Sequence, residues 1–359
     1  MNKSSNLRSQ FEISGRTISR NSSPFIIVEL SGNHKGDINE ALKLVDKAAE
    51  TGADAIKIQT YTADTITIDY DGPEFTLNGG LWSGRTLYDL YQEAYTPWEW
   101  HEALFARAKE HGIPIFSSPF DSTAVDLLEN LDCPAYKIAS FEINDMGLIK
   151  KATETGKPII ISTGMATLEE IQEAVQAVED AGGTQLAILH CISGYPTPID
   201  DCNLQTITDM QNRFSVPIGL SDHTIDNTAA ITATALGAAI IEKHFTLDRS
   251  EGAVDAAFSL EPKEFTNLVK SCRRAFKALG TAGYDVKPSE SKGRGLRRSL
   301  YVTAEVKKGE ILTEKNVRSI RPNNGLHTRY LKDVLGKKAT QNLSFGMPLE
   351  KDHIESFEI

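Results

Sequence analysis

From residue 25 the chain repeats one unit eight times, a short apolar run followed by a segment of helical periodicity. The apolar runs are FIIVEL, AIKIQT, PIFSSP, AYKIAS, PIIISTG, QLAILHC, VPIGLSD and AIIEKHF. Between them lie INEALKLVDKAAETG, TPWEWHEALFARAKEHG, STAVDLLENL, MGLIKKATETG, TLEEIQEAVQAVEDAGG, LQTITDMQNRF and NTAAITATALGA, and PKEFTNLVKSCRRAFKALG closes the series. Runs this apolar read as strands buried on both faces, and a helix between each pair makes them parallel. Eight βα units in about 255 residues predict a TIM (β/α)8 barrel. A doubly wound open sheet is the rival, and the absence of a GxGxxG turn after the first strand counts against it. Gly52, Gly112, Gly156, Gly182, Gly237 and Gly280 fall near helix ends and read as structural left-handed caps.

Two regions interrupt the rhythm. Residues 61–97 form a long insertion after the second strand, which on a barrel lies on the catalytic face and is a candidate lid. Ahead of the barrel, within residues 1–24, FEISGRTIS reads as a hairpin about Ser14 and Gly15, suited to plugging the barrel bottom. The barrel is expected over 25–281. A linker rich in Gly, Ser, Lys and Arg is expected over 282–296, and a compact β-rich domain over 297–359.

The chain of 359 residues carries 38 basic and 49 acidic residues, a net charge of −11, which argues against nucleic-acid binding and against a basic membrane-binding surface. Any anionic ligand must therefore be held by a local cluster. Four scattered cysteines without a CxxC pair read as reduced thiols of a cytoplasmic protein. No apolar run reaches about 18 residues, and MNKSSNLRSQ lacks the apolar core of a signal peptide, so the expectation is a soluble chain with no membrane partner.

In a barrel the C-terminal strand ends surround the active site, and here those ends are polar. They present Glu29 with Asn33 and His34; Lys57 with Gln59; Ser117, Ser118 and Asp121; Lys137 with Ser140 and Glu142; Ser162 and Thr163; His190 and Ser193 with Tyr195; Ser221 with Asp222 and His223; and Glu242 with Lys243 and His244. A lysine inside a β-run is costly to bury without an anionic partner. Lys57 and Lys137 point either to a phosphate or carboxylate ligand, assisted by the hydroxyls of Ser118, Ser140, Ser162 and Ser221, or to structural ion pairs with Glu29 or Glu142. His223 and His244 end the seventh and eighth strands, so they form either an open divalent-metal site or a hydrogen-bonded core pair. No GxSxG elbow, P-loop or HExxH helix occurs in the chain.

VELSGNHKGD, ADAIKIQTY, SSPFD, YKIASFEIND, KPIIISTGMA, LHCISGYPTP, GLSDHT and EKHFTLD together resemble, in order, the strand-end motifs of the sialic acid synthase family. The tail, with RRSLYVTAEVKKGEIL and SIRPNNGL, is similar to that family's antifreeze-like (SAF) domain. Within the family, LSGNH and the insertion ending LYDLYQEAYTPWEWH look most like the pseudaminic acid branch.

The resemblance implies condensation of phosphoenolpyruvate with the open-chain aldehyde of an N-acetylated aldose. For that branch the acceptor is 2,4-diacetamido-2,4,6-trideoxy-L-altrose, and the product serves surface-glycan or flagellin glycosylation. It implies Mn2+ or Mg2+ on His223 and His244, and phosphoenolpyruvate held by Lys57, Ser118, Lys137, Ser140, Ser162, Ser193 and Ser221. Glu142 would orient or deprotonate the attacking water. Glu29, Asn33, Gln59, Tyr195 and Asp255 would line the sugar side. Ser193 stands where many relatives carry Asn. Arg321 matches an arginine that reaches the sugar's N-acetyl group across a domain-swapped homodimer, the rival reading being a salt bridge between the domains. Trp82, Tyr91 and Tyr95 are candidates for apolar contact with the deoxygenated 6-position.

Overall fold

A computed structural model describes residues 6–358. The first five residues of the N-terminal segment and Ile359 of the C-terminal one lie outside the described residues. An antiparallel hairpin of β1 (Phe11–Ile13) and β2 (Arg16–Ile18) comes first. Ser14 and Gly15 both take positive φ, 48° and 77°, as the expected two-residue turn requires. Arg16 pairs with Asp54 at 3.3 Å and the Arg8 amide donates to the Thr184 carbonyl at 2.9 Å. Both partners lie just ahead of barrel strands, so the hairpin covers the N-terminal face.

The eight strands are β3 (Phe25–Glu29), β4 (Ala55–Thr60), β5 (Ile115–Pro119), β6 (Tyr136–Ile138), β7 (Ile159–Ser162), β8 (Leu186–Cys191), β9 (Ile218–Asp222) and β10 (Ile240–His244). They pair in parallel in sequence order, and β10 returns to β3, so the sheet is a closed barrel and the open-sheet alternative falls away. The principal helices of this unit are α1 (Ile38–Glu50), α2 (Ala63–Ile66), α3 (Leu87–Ala94), α4 (His101–Glu110), α5 (Ser122–Glu129), α6 (Met146–Thr153), α7 (Leu168–Asp180), α8 (Gln205–Arg213), α9 (Thr228–Ala235) and α10 (Pro262–Leu279). α2 and α3 belong to the insertion.

Local chemistry sets these elements. In α1 the buried residues are Ala41, Leu44, Val45 and Ala48, a single stripe at helical spacing. Burying a Leu or Val there contributes roughly 1.5–3 kcal/mol. The Asp37 side chain accepts from the Asn39 amide at its start. Thr167 and Glu170 form a capping box on α7. Gly219 lies within β9, where a Cβ would stand 2.5 Å from the Ile240 carbonyl oxygen and 2.6 Å from the Leu189 side chain. Only glycine fits that close approach of strands.

The chain divides into Met1–Gly280 and Thr281–Ile359. In the second unit, residues 282–296 are exposed throughout and include the short helix α11 (Ser291–Arg294). β11 (Ser299–Val302) and β12 (Val317–Ile320) then pair antiparallel, and the helix α12 (Leu331–Val334) follows. Leu300, Val302, Val306, Leu312, Val317, Leu343 and Leu349 form its separate apolar core. Among the described residues no helix is long and apolar enough to cross a membrane.

Candidate active site

Parallel register brings the strand-end side chains to one level. Glu29 lies opposite Lys57 on one side and His244 on the other, and Gln59 lies opposite Ser118. The ends open into a cavity of about 270 Å³ lined by Lys57, Gln59, Lys137, Ser140, Glu142, Ser162, Tyr195, Ser221, His223, His244 and Asp255. Those sequence-derived candidates therefore meet in one place. Glu29, Asn33, Ser118 and Ser193 stand behind or beside this lining, and Arg321 lies in the second unit, exposed beside Arg297 and Arg298.

The floor is ionic. Lys57 Nζ contacts the Glu29 carboxylate, donates to Ser118 Oγ at 3.2 Å, and lies 3.7 Å from Glu242 Oε1. Lys137 Nζ lies 3.7 Å from the same Glu242 oxygen, onto which Ser221 Oγ donates at 3.2 Å. Burial penalises the charge of Lys57, yet the carboxylates of Glu242 and Glu29 hold it above the ordinary lysine value. Lys137 moves the other way: burial dominates, and the neighbouring Lys57 charge adds to it. Among the described residues Ser162 Oγ is buried and unpartnered, and Ser140 Oγ accepts the Gly164 amide at 3.0 Å and hydrogen-bonds to the Cys191 thiol. The free Ser162 hydroxyl, with Ser140 beside it and two ammonium groups below, suits an oxyanion.

Glu142 ends a helical turn, Ser140–Glu142, just after β6. Burial raises its carboxyl to about 7, against the lowering effect of the Lys137 charge, and Asp145 adds to the rise. Its Oε2 has no partner. A carboxyl that titrates near neutrality inside a cavity is equipped for proton transfer.

On the opposite side the His223 and His244 rings lie 5.2 Å apart, centroid to centroid. His223 Nδ1 donates to the Ile192 carbonyl at 3.0 Å, which leaves the Nε2 lone pair free, the arrangement expected of a metal-ligating imidazole. Burial, with the nearby lysine charges adding to it, lowers the His244 imidazole well below its ordinary value, and its buried Nδ1 has no partner among the described residues. Among the described residues no group of three or more His, Cys, Asp or Glu side chains is placed to hold a metal ion by itself. The pair thus fits a divalent cation only as an open site, with substrate or water completing the coordination. Tyr195 packs on His223 at 4.6 Å, and Phe258 packs on His244 at 4.9 Å.

Several side chains have functions that sequence alone did not assign. Asn33 donates to the Phe245 carbonyl and Ser259 Oγ, both at 2.9 Å, and accepts the Asp255 amide at 3.1 Å, so it ties the β3 loop to the β10 loop. Ser31 lines the cavity, accepts from Gln59 Nε2 at 3.1 Å and hydrogen-bonds to the Asp255 carboxylate. Its φ of 46° is unusual for serine, and the adjacent SGN is the only sequence hint of it. Glu242 sits under both lysines, although its place at a strand end had carried no assigned task. From the insertion, Trp82 and Tyr91 line the cavity and Tyr95 does not. Ile66, Leu77, Leu87 and Leu90 join them.

The family model described as NeuB family matches residues 44–284, and the SAF domain model matches residues 297–355. The chain is 45% identical over 327 residues to a pseudaminic acid synthase of Campylobacter jejuni subsp. jejuni, covering 91% of this chain and 95% of the relative. It is 37% identical over 321 residues to an N,N'-diacetyllegionaminic acid synthase of the same strain, covering 88% and 96%. Among solved structures, an N-acetylneuraminic acid (sialic acid) synthetase from Leptospira borgpetersenii in complex with citrate superposes with a TM-score of 0.71 at 32% identity, over 80% of this chain and 95% of that one. The ordered strand ends, the cavity they enclose and these matches lead to one assignment: the chain belongs to the NeuB family and carries an SAF domain at its C-terminal end.

Proposed function

We propose that the chain is a pseudaminic acid synthase, condensing phosphoenolpyruvate with 2,4-diacetamido-2,4,6-trideoxy-L-altrose to give pseudaminic acid and inorganic phosphate. The observation that carries this reading is the division of one cavity into a cationic, hydroxyl-rich floor and a pair of imidazoles beside an apolar wall. The higher identity to the pseudaminic relative than to the legionaminic one supports the acceptor assignment.

In this reading Lys57 and Lys137 neutralise the phosphate and carboxylate of phosphoenolpyruvate, and Ser140, Ser162 and Ser221 supply hydrogen bonds to their oxygens. Ser118 and Glu29 fix the Lys57 ammonium from behind. Ser193 adjoins Ser140 at the Gly164 turn, since a Cβ on Gly164 would lie 2.1 Å from Ser193 Oγ and 2.8 Å from Ser140 Oγ. Gln59, Tyr195 and Asp255 face the sugar, and Asn33 holds Asp255 in place. C3 of phosphoenolpyruvate forms a bond to the aldehyde carbon, and the aldehyde oxygen takes up a proton. Glu142 accepts a proton from the water that adds at C2. Collapse of the resulting tetrahedral centre breaks the C2–O bond, so phosphate leaves and C2 becomes the keto carbon. Bound on His223 and His244, Mn2+ or Mg2+ supplies Lewis-acid polarisation of the aldehyde. Arg321 is assigned to the N-acetyl group of the sugar in a second copy of the chain, in a domain-swapped homodimer.

The test is phosphate release with product mass, using phosphoenolpyruvate, Mn2+ and three acceptors: the L-altrose derivative, the legionaminic-type derivative and N-acetylmannosamine. The expected product is the nine-carbon 2-keto acid from the L-altrose derivative. Turnover confined to either of the others refutes the acceptor assignment, and no phosphate release with any acceptor refutes the enzyme.

A further inference from the structure

The insertion presents only apolar and aromatic side chains to the cavity. It contains seven charged residues between Asp64 and Glu93, and none of them lines the cavity; Ile66, Leu77, Trp82, Leu87 and Leu90 do. Trp82 sits in a loop closed at its base by backbone hydrogen bonds, Leu77 N to Arg85 O and Gly84 N to Leu77 O, both 2.8 Å. Its indole N–H donates to the Val254 carbonyl at 3.2 Å, in the segment following β10. The one polar atom of this side chain is thereby used on the far rim, and only ring surface is left for a ligand. The ring packs 5.8 Å from Tyr195 and 6.5 Å from Phe258, the residues that cover the two imidazoles. A sugar whose aldehyde lies at those imidazoles therefore extends its distal carbons along the Trp82 wall.

We propose that Trp82, latched to Val254, is the specificity-determining residue for the distal end of the acceptor, selecting N-acylated aldoses that are deoxygenated there. This rests on the acceptor class given above. A hydroxyl pressed against this wall loses its hydrogen bonds to water and finds no partner among the insertion's lining side chains other than tyrosine. Discrimination by an apolar wall against one added hydroxyl is bounded, at about 100-fold. The selectivity is therefore modest, and it resides in acceptor KM.

The experiment compares two acceptors that differ by a single hydroxyl, 2,4-diacetamido-2,4,6-trideoxy-L-altrose and its 6-hydroxy counterpart, with phosphoenolpyruvate and Mn2+. The wild-type kcat/KM ratio should favour the 6-deoxy sugar by about 10–100-fold. Trp82→Ala should reduce the ratio about tenfold through acceptor KM, with the KM for phosphoenolpyruvate within about twofold of wild type. Leu77→Asn, which leaves the latch intact and puts an amide in the wall, should reduce the ratio as well. Phosphoenolpyruvate binding measured by calorimetry reports folding of each variant. An unchanged ratio in both variants overturns the inference, as does a wild-type enzyme that treats the two acceptors alike. Absence of turnover of either acceptor by the wild-type enzyme refutes instead the reaction on which the inference rests.

Discussion

Replacing Glu142 by Gln tests the proton-transfer assignment in two independent ways. The carboxyl is raised from 4.5 to about 7, chiefly by burial, with Lys137 opposing the shift and Asp145 adding to it. The aromatic hydroxyls of Tyr91 and Tyr195 are neighbours close enough for its charge to raise them. With a midpoint at about 7, roughly a tenth of the groups are ionised at pH 6 and roughly nine tenths at pH 8. A step that needs the carboxylate should therefore accelerate about tenfold across that interval. Steady-state kcat measured over pH 5.5–8.5 at saturating substrates should show this acidic limb, and Glu142→Gln should be slow and flat. Stability supplies the second measurement. A raised pKa means that the native chain holds the proton more tightly than the unfolded one, so this contribution is complete below pH 4.5 and is lost as pH rises through about 7. At 1.36 kcal/mol per unit the loss is at most roughly 3–4 kcal/mol, and less where cavity water screens the carboxylate. In urea denaturation the stability of Glu142→Gln relative to wild type should rise between pH 4.5 and pH 8 by an amount under that bound. A limb that persists unchanged in Glu142→Gln refutes the assignment.

Three further perturbations address the scaffold of the site. Either His223→Ala or His244→Ala should abolish Mn2+ binding seen by calorimetry without substrates, and wild-type affinity in both variants would remove the two-imidazole site. Lys243 Nζ is buried on Asp222 at 2.7 Å and on the Thr224 carbonyl at 2.5 Å, immediately beside His223. Lys243→Met should cost about 3–5 kcal/mol in chemical denaturation because it strands the Asp222 carboxylate, whereas Asp222→Leu with Lys243→Met should recover most of that loss; equal destabilisation in the single and double variants contradicts the pairing. Gly164→Ala drives a methyl toward Ser193 and Ser140, so KM for phosphoenolpyruvate should rise about tenfold with acceptor KM little changed. A proportionate rise in both would place the damage in the fold.

The barrel was legible because its strands are apolar on both faces and its helices carry one buried stripe each. The two patterns alternate from Phe25 to Leu279, interrupted only by the insertion over 61–97. The site was legible for a related reason, since polar residues at the ends of apolar runs have nowhere to go except a common mouth. Finer placement follows from the period-two alternation of a strand. Ser221, His223, Glu242 and His244 face the cavity, while Asp222 and Lys243, one residue out of phase, pair with each other away from it. Loop residues escape such reasoning. The family resemblance assigns Asn33 to the sugar side, and its hydrogen bonds run to Phe245, Ser259 and Asp255, partners more than 200 positions away that only the closed barrel brings near. The apolar wall was equally obscure, because residues 61–97 mix charged and apolar side chains without a period, and only the folded loop separates them.

Lys57 and Lys137 illustrate how far residue type can mislead about equivalence. Both are buried lysines of apolar strands, and both carry the same expected task. In the fold, Lys57 is fastened by the Glu29 carboxylate and Ser118 and shares Glu242, so its charge is compensated before any ligand arrives. Among the described residues the ion-pair partner of Lys137 is the shared Glu242 oxygen at 3.7 Å, and burial together with the Lys57 charge disfavours its ammonium. A dianionic phosphate entering the floor thus changes Lys137 most, by supplying the counter-charge that the protein withholds. Lys57 is the cation already tied to the frame, and Lys137 the one whose charge the substrate compensates most. Replacing Lys137 should weaken the binding of inorganic phosphate with little loss of stability, whereas replacing Lys57 strands Glu29 and should cost stability as well.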